Sequence, residues 1–420
     1  MLKVQSKHID KIVKSLVKDK ITKTQLNNYN NTINLINAKC LITMEYSGQA
    51  TNPLTIEENF KFLFNSHYIA DNIMTDIKKN MRNKYIIRYR FKTEILDINN
   101  IITIYSSSKN ESKIWKLAES VIDRILFFNI SLNTNKSPNL LIFMSNQKKV
   151  IPVMNNNNMN NNNMNNNNMN NNNNSNLEFN PKHINSAVTD GTNIIIFREE
   201  ELLKSILHEA IHFFKVDFSP NEYPTSYINQ YLTKYRITNI KNNTIRISES
   251  YTELLANLLN NIFISNNSNN LTELENNNSK EINYSLFQVA KIFHSLGYKN
   301  TSDFLSNNIR NNTKNTKDTK DTKDLVQGSH VFSYYIVKSI FYYHINEFID
   351  KIISRKGSCL MFNNKPKTYF HMDNLIIDNL SSDSNWSKHI NKLLNKMNNK
   401  EIYQSIPIKM KNTMKMTINQ

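Results

Sequence analysis

His208-Glu209-Ala210-Ile211-His212 is the stretch of this chain whose residue types and spacing bear most directly on chemistry. On an α-helix, residues four apart lie about 40° apart around the axis and one turn apart along it. His208 and His212 therefore aim two imidazoles at one point, as a zinc ion requires at roughly 2.0–2.1 Å. Glu209 is rotated by about 100° from His208, so its carboxylate reaches a metal-bound water without taking a coordination position. Zinc lowers the pKa of that water towards ~7, and the carboxylate takes its proton. Leu202, Leu203, Ile206, Leu207, Ala210, Ile211, Phe213 and Phe214 make nearly every face of the helix apolar. Ionisable side chains buried there without partners are costly, and a metal resolves that cost.

A catalytic zinc site needs a third protein ligand. Ser248-Glu249-Ser250-Tyr251-Thr252-Glu253-Leu254-Leu255-Ala256 offers two carboxylates one helical turn apart, and Leu254, Leu255, Leu258 and Leu259 make this second helix deeply apolar. A metzincin would continue the first motif with Gly at 215 and His at 218, where this chain has Lys215 and Phe218. The pair of motifs instead resembles the gluzincins, the zincin clan that includes thermolysin-like and anthrax-lethal-factor-like metallopeptidases. That resemblance implies zinc as cofactor, Glu209 as general base, Glu249 as third ligand and Glu253 as the carboxylate bracing one of the histidines. It implies a peptide or protein substrate, added as one more strand to an edge strand above the metal. Asn185, Ser186 and Ala187, just before the return strand and motif helix, occupy that place in the family order. Gluzincins also draw a Tyr or His from a later helix to stabilise the tetrahedral intermediate. Here the stretch Gly328 to Tyr335 offers His330, Tyr334 and Tyr335, although aromatics at helical spacing are ordinarily core. The chain is similar, too, to zincin-like proteins of large DNA viruses, in which a strand ending in Arg-Glu-Glu, here Arg198-Glu199-Glu200, runs into the motif helix.

The elements that must position these residues are readable from periodicity. Tyr85–Phe91 and Ile101–Tyr105 read as strands, Ile114–Leu126 as a helix with apolar three- and four-residue spacings, and Leu140–Met144 as a buried strand. Ile184–Thr189 and Ile194–Phe197 flank Asp190-Gly191, a dipeptide suited to a tight hairpin turn. Glu199, Glu200 and Glu201 are expected to open the motif helix, since the helix dipole favours acids in a first turn. Downstream, Glu249–Ile262, Leu286–Leu296 and Val331–Ile353 each read as one helix. Mixed elements first and helices afterwards predict an α+β fold, and the gluzincin resemblance implies that it is a zincin-like catalytic domain.

The expected organisation is a helical N-terminal region over 1–80, a zincin-like metallohydrolase domain over 81–355 and a basic C-terminal tail over 356–420. Low-complexity inserts at 154–176 and 312–324, rich in Met-Asn-Asn-Asn-Asn and Thr-Lys-Asp, lack the apolar residues to bury and are expected to be disordered surface loops. The net charge of +17 concentrates at the two ends: residues 1–23 carry +5 and residues 388–420 carry +6. Such ends can touch nucleic acid, but aromatic residues are not interleaved as in single-strand binders, so a nucleic-acid-associated role ranks below the metal. An inactive zinc-binding zincin is the other alternative; the retained Glu209 argues against it, because a structural site has no use for a general base. Two cysteines, Cys40 and Cys359, make no disulfide framework. No apolar run of signal-peptide or membrane-span length is present. The sequence thus reads as a soluble intracellular protein, in a host cytoplasm or virion if viral.

Overall fold

The structure, a computed structural model, describes residues 31–32, 40–49, 69, 71–80, 85–93, 96–152, 177–218, 233–239, 245–266, 271–305, 323–356 and 359–419. Its first half runs β1 (Cys40–Gln49), α1 (Asp71–Asn80), β2 (Tyr85–Thr93), β3 (Ile98–Ser106), α2 (Glu111–Leu132), β4 (Asn139–Phe143), β5 (Glu178–Phe179), α3 (Pro181–Ile184), β6 (Ala187–Thr189), β7 (Asn193–Ile196) and the motif helix α4 (Leu202–Phe213). The second half runs β8 (Ile237–Asn239), α5 (Ile247–Asn266), α6 (Leu271–Ser295), β9 (Leu325–Gln327), a π-helical turn at Phe332–Val337, α7 (Lys338–Tyr343) and α8 (Ile345–Lys351). β10 (Ile353–Lys356), β11 (Cys359–Phe362), α9 (Pro366–Asn379), α10 (Asn385–Asn398), α11 (Lys400–Ser405) and α12 (Ile408–Asn412) complete it.

Six strands form one mixed sheet in the order β1-β2-β3-β4-β7-β6. β3, β4 and β7 are parallel in its middle, whereas β1, β2 and β6 pair antiparallel with their neighbours. The middle strands are covered on both faces, which is why they read as continuous apolar runs. One face packs on the main core through Ile102, Ile104, Leu140, Ile142, Ile194 and Ile196. The other carries Tyr105, Phe143, Ile195 and Phe197 against Ile73 and Ile77 of α1. α2 and α4 lie under the first face, and α5, α6, α7 and α10 extend the apolar core beyond it. The fold is α+β with a mixed sheet. Among the described residues no helix is long and apolar enough to cross a membrane.

Several expectations need correction. The N-terminal region is not wholly helical, because Cys40–Gln49 is a strand paired with β2. Cys40, Ile42, Met44 and Tyr46 alternate with Thr43, Glu45 and Ser47, a period-2 signal that the sequence reading passed over, and Leu41, Met44 and Tyr46 stay exposed on the strand. Residues 359–419 are no loose tail. The lysines of α10 sit on its wet side while Trp386, Ile390, Leu393, Leu394 and Met397 are buried. Val331–Ile353 is not one helix but a π-turn, two short helices and the start of β10, broken at His344 (φ −105°, ψ 36°). Three-stranded β5-β9-β8 and the β10–β11 hairpin add strands where helices alone were expected. The insert over 154–176 lies outside the described residues, as does 312–324 up to residue 322. Lys323 and Asp324 are anchored, the first donating its amide to Leu296 and the second accepting from Arg236.

Candidate metal centre

α4 carries the motif and begins at Leu202, three residues later than the expected opening at Glu199. No acid lies in its first turn, and Glu201 precedes it in the left-handed region (φ 61°). Leu202, Ile206, Leu207, Ala210, Ile211 and Phe213 bury the helix in the core, leaving His208 and Glu209 to face a cavity of about 310 Å³. At the far end Lys215, also left-handed (φ 54°), closes the helix: the Val216 amide bonds back to Ile211. That reversal returns Asp217 towards His212. α5 packs against α4 and presents Glu249 from its first turn, where the dipole favours a carboxylate, with Glu253 one turn further.

His208 Nε2, His212 Nε2 and Glu249 Oε2 converge. The two nitrogens are 3.2 Å apart, and each lies 3.5 Å from the carboxylate oxygen. Ligands at zinc-bond length on three corners of a tetrahedron stand roughly 3.3–3.4 Å apart, so this triangle has the right edge. The three residues can hold a metal ion, and the fourth corner faces the cavity. Glu253 does not reach the triangle: its Oε2 takes the other nitrogen of His208, Nδ1, at 3.0 Å, and its Oε1 accepts from Lys204 Nζ at 2.7 Å. His212 Nδ1 lies 2.6 Å from Asp217 Oδ2, which also accepts from Thr252 Oγ1 at 3.3 Å. Each imidazole is thus oriented through Nδ1 by a carboxylate, which turns Nε2 towards the point where the three atoms converge.

Burial opposes charge throughout this cluster, and the partners decide each outcome. Burial would lower both imidazoles, but hydrogen bonds accepted by Glu249 and Glu253 raise His208, and Asp217 with Glu249 raises His212 well above its usual range. Glu249 is held well below the usual carboxylate range, because His212 and His208 outweigh its burial. Glu253 is likewise held down against burial, chiefly by Lys204 and His208. Glu209 differs from both. Burial raises it and the nearby histidines do not cancel the effect, so it is the carboxyl of the cluster most ready to keep a proton.

The other residues singled out by sequence divide. Ala187 lies on β6, which among the described residues is an edge strand of the sheet, and the same edge borders the cavity. Asn185 and Ser186 line the cavity but precede the strand; α3 ends at Ile184, so the strand is shorter than expected. Ser186 O and the Asp190 amide bond to β7, so by alternation Ala187 and Thr189 present their backbone groups to the free edge. Tyr334 reaches the centre: its hydroxyl donates to Glu249 Oε2 at 3.0 Å, and burial, then Glu249, raise its pKa well above the usual range. His330 also lines the cavity, its pKa lowered by burial. Tyr335 turns the other way and donates to Met414 O. The π-helical turn spreads these neighbours, a local widening often met at functional sites. Sequence reasoning missed Asp217, Lys204 and Arg246, all on the cavity wall. Only Asp217, five residues beyond His212, had a local signal. No protein-family model matches this chain, and no curated protein or solved structure matches it.

Proposed function

We propose that this protein is a zinc-dependent peptidase of zincin type, with His208, His212 and Glu249 as ligands and Glu209 as general base. The observation that carries the reading is the triangle of ligand atoms, 3.2, 3.5 and 3.5 Å on its edges, beside a buried carboxyl that stays out of it. Zinc is favoured because two imidazoles and one carboxylate with an open corner make a catalytic zinc set; when bound, it supplies a Lewis acid and lowers the pKa of water towards ~7. Glu209 takes a proton on its carboxylate and hands it to the leaving amine, a role its burial-raised pKa favours. Tyr334 keeps its phenolic proton and is a donor at the rim of the site, beside His330. The free backbone groups of Ala187 and Thr189 hold an extended peptide as a seventh strand of the sheet.

The test combines metal content with cleavage of a random peptide library. Wild-type protein carries close to one zinc per chain and cleaves peptides. Glu209→Gln keeps the zinc, because the amide is nearly isosteric and outside the ligand set, and loses turnover by about 10²–10⁴-fold. Zinc retained in a His208→Ala/His212→Ala double variant sinks the assignment. Zinc bound with no cleavage by wild type leaves a metal-binding protein without the proposed activity.

A further inference from the structure

Residues 413–419 follow α12 and run into the interior without regular structure, bending at Met416 and Ile418. Met414, Met416 and Thr417 are buried. The run begins as a single antiparallel bridge between Thr413 and Val150 and then leaves strand partners behind. From there its backbone is read by side chains. Lys291 Nζ donates to the Thr413 carbonyl, Tyr335 to that of Met414, Gln288 to that of Lys415 and Lys338 to that of Met416. On the amide side, Glu201 Oε1 accepts from Met416 and Thr417 at 2.6 and 2.7 Å, and Glu281 Oε1 accepts from Ile418 and Asn419 at 2.9 Å each.

That arrangement is costly for a structural element. Two lysines and two glutamates buried among helices each demand compensation, and here main-chain groups of one segment supply it. Glu201 also holds a left-handed backbone, a conformation that is strained in a non-glycine residue. It does not cap its own helix; its second oxygen takes Lys149 Nζ at 2.6 Å. Main-chain groups of every residue from Thr413 to Asn419 are taken by side chains of the surrounding helices and their flanks, with Thr417 Oγ1 and the Asn419 side-chain amide held as well, and such a set of contacts is what a peptide-binding channel provides.

The channel and the metal centre share a wall. Lys204 Nζ bonds Glu253, which orients His208, and its other contact is Met416 Sδ at 3.9 Å. Met416 itself lines the metal-site cavity. We propose that α4, α5, α6 and α7 form a second, peptide-binding channel filled by this chain's own residues 413–419, whose occupancy sets the metal affinity by holding Lys204 and Glu253 against His208. This rests on the reading of His208 as a metal ligand. Lys204 is a positioning residue in this scheme, and linkage requires the effect to be reciprocal: metal tightens the segment by the factor the segment tightens metal.

The experiment uses the full chain with a protease recognition sequence inserted between Pro407 and Ile408, in an exposed turn where Ile408 is 73% exposed. After nicking, fragment 408–420 is exchanged for a fluorescent synthetic peptide of the same sequence, with and without zinc. Zinc affinity is measured by chelator competition on intact, nicked, peptide-free and peptide-resupplied protein. Loss of the segment weakens zinc by about 10–100-fold, the usual scale for disturbing a ligand's supporting shell, and resupply restores it. Saturating zinc tightens the labelled peptide by the same factor. Thr417→Pro in the intact chain removes the amide donated to Glu201 and weakens zinc in the same direction, with folding checked by circular dichroism; it carries the test where the peptide-free protein does not stay folded. Ile408→Ala leaves zinc unchanged. Folded peptide-free protein and folded Thr417→Pro that bind zinc like wild type overturn the coupling, and a labelled peptide that never binds the nicked chain overturns the channel. Absence of zinc binding in the intact protein instead removes the metal reading, and the peptide arm then judges the channel alone.

Discussion

Glu249 and Glu253 are the same residue type one helical turn apart, and their surroundings give them different work. Glu249 points an oxygen 3.5 Å from both Nε2 atoms, whereas Glu253 meets Nδ1 of His208 on one side and Lys204 on the other. Asp217 repeats the second role on His212. The ranking of three variants follows. Glu249→Ala removes a ligand and reduces zinc affinity most. Glu253→Ala and Asp217→Ala loosen one imidazole each and cost about 10–100-fold. Chelator titration of the purified variants orders them directly, and a Glu253→Ala protein weaker than Glu249→Ala moves the ligand one turn along α5. Asp217 escaped notice in the sequence because five residues past His212 is out of reach on a continuing helix; it is in reach only because the helix stops.

Where α4 stops is an element-scale property that rests on Lys215. Its positive φ lets Val216 bond back to Ile211 and turns Asp217 under His212. A side chain costs about 1–2 kcal/mol in that conformation and glycine does not. Lys215→Gly is therefore expected to leave zinc affinity unchanged and to raise stability by up to about 1 kcal/mol, glycine's greater freedom in the unfolded chain offsetting part of the gain. Lys215→Val, branched at Cβ, is expected to destabilise the helix end and to weaken zinc through Asp217. Urea unfolding and chelator competition read the two effects separately. A Lys215→Val protein with unaltered zinc affinity shows that Asp217 is held without this turn. The π-turn at Phe332–Val337 is the comparable device on the other side of the cavity: it sends Tyr334 to Glu249 and Tyr335 to Met414.

For the molecule as a whole, buried lysines tie stability to pH. Burial lowers Lys291 from 10.5 to about 7 while its Nζ serves the carbonyls of Met410 and Thr413. Between pH 7 and 10.5 the unfolded chain therefore keeps a proton on this residue that the folded chain has shed. Stability rises with pH across that window, and the full cost of burying the charge is felt below pH 7. One such group adds a slope no steeper than about 1.4 kcal/mol per pH unit. In Lys291→Met the slope measured by denaturant unfolding between pH 6 and 9 is expected to flatten relative to wild type. Equal slopes in the two proteins show that Lys291 titrates normally.

Residues 202–213 carried their own evidence. A helix-length apolar pattern with two histidines four apart sets where the imidazoles can point, so the motif helix and the convergence of His208 and His212 were legible without coordinates. So were β2, β3, β4 and the hairpin turn at Asp190-Gly191, whose Gly191 adopts the positive φ (83°) that the turn demands. These are local properties, decided by spacing within a dozen residues. Three other things depended on residues far apart in the chain. Alternation of Cys40, Ile42, Met44 and Tyr46 permits a strand at β1, but its place beside Tyr85–Thr93 at one end of the sheet is decided only by the pairing. Glu249 separates from Glu253 only once α5 is docked at one register and angle on α4. The seven lysines of residues 388–420 read as a solvated basic end, yet the segment that follows α12 passes through the interior. Glu201 and Glu281 receive its amides at sequence separations of more than a hundred residues. Periodicity reports the face an element buries, but which distant backbone will satisfy a buried charge is decided by tertiary packing alone.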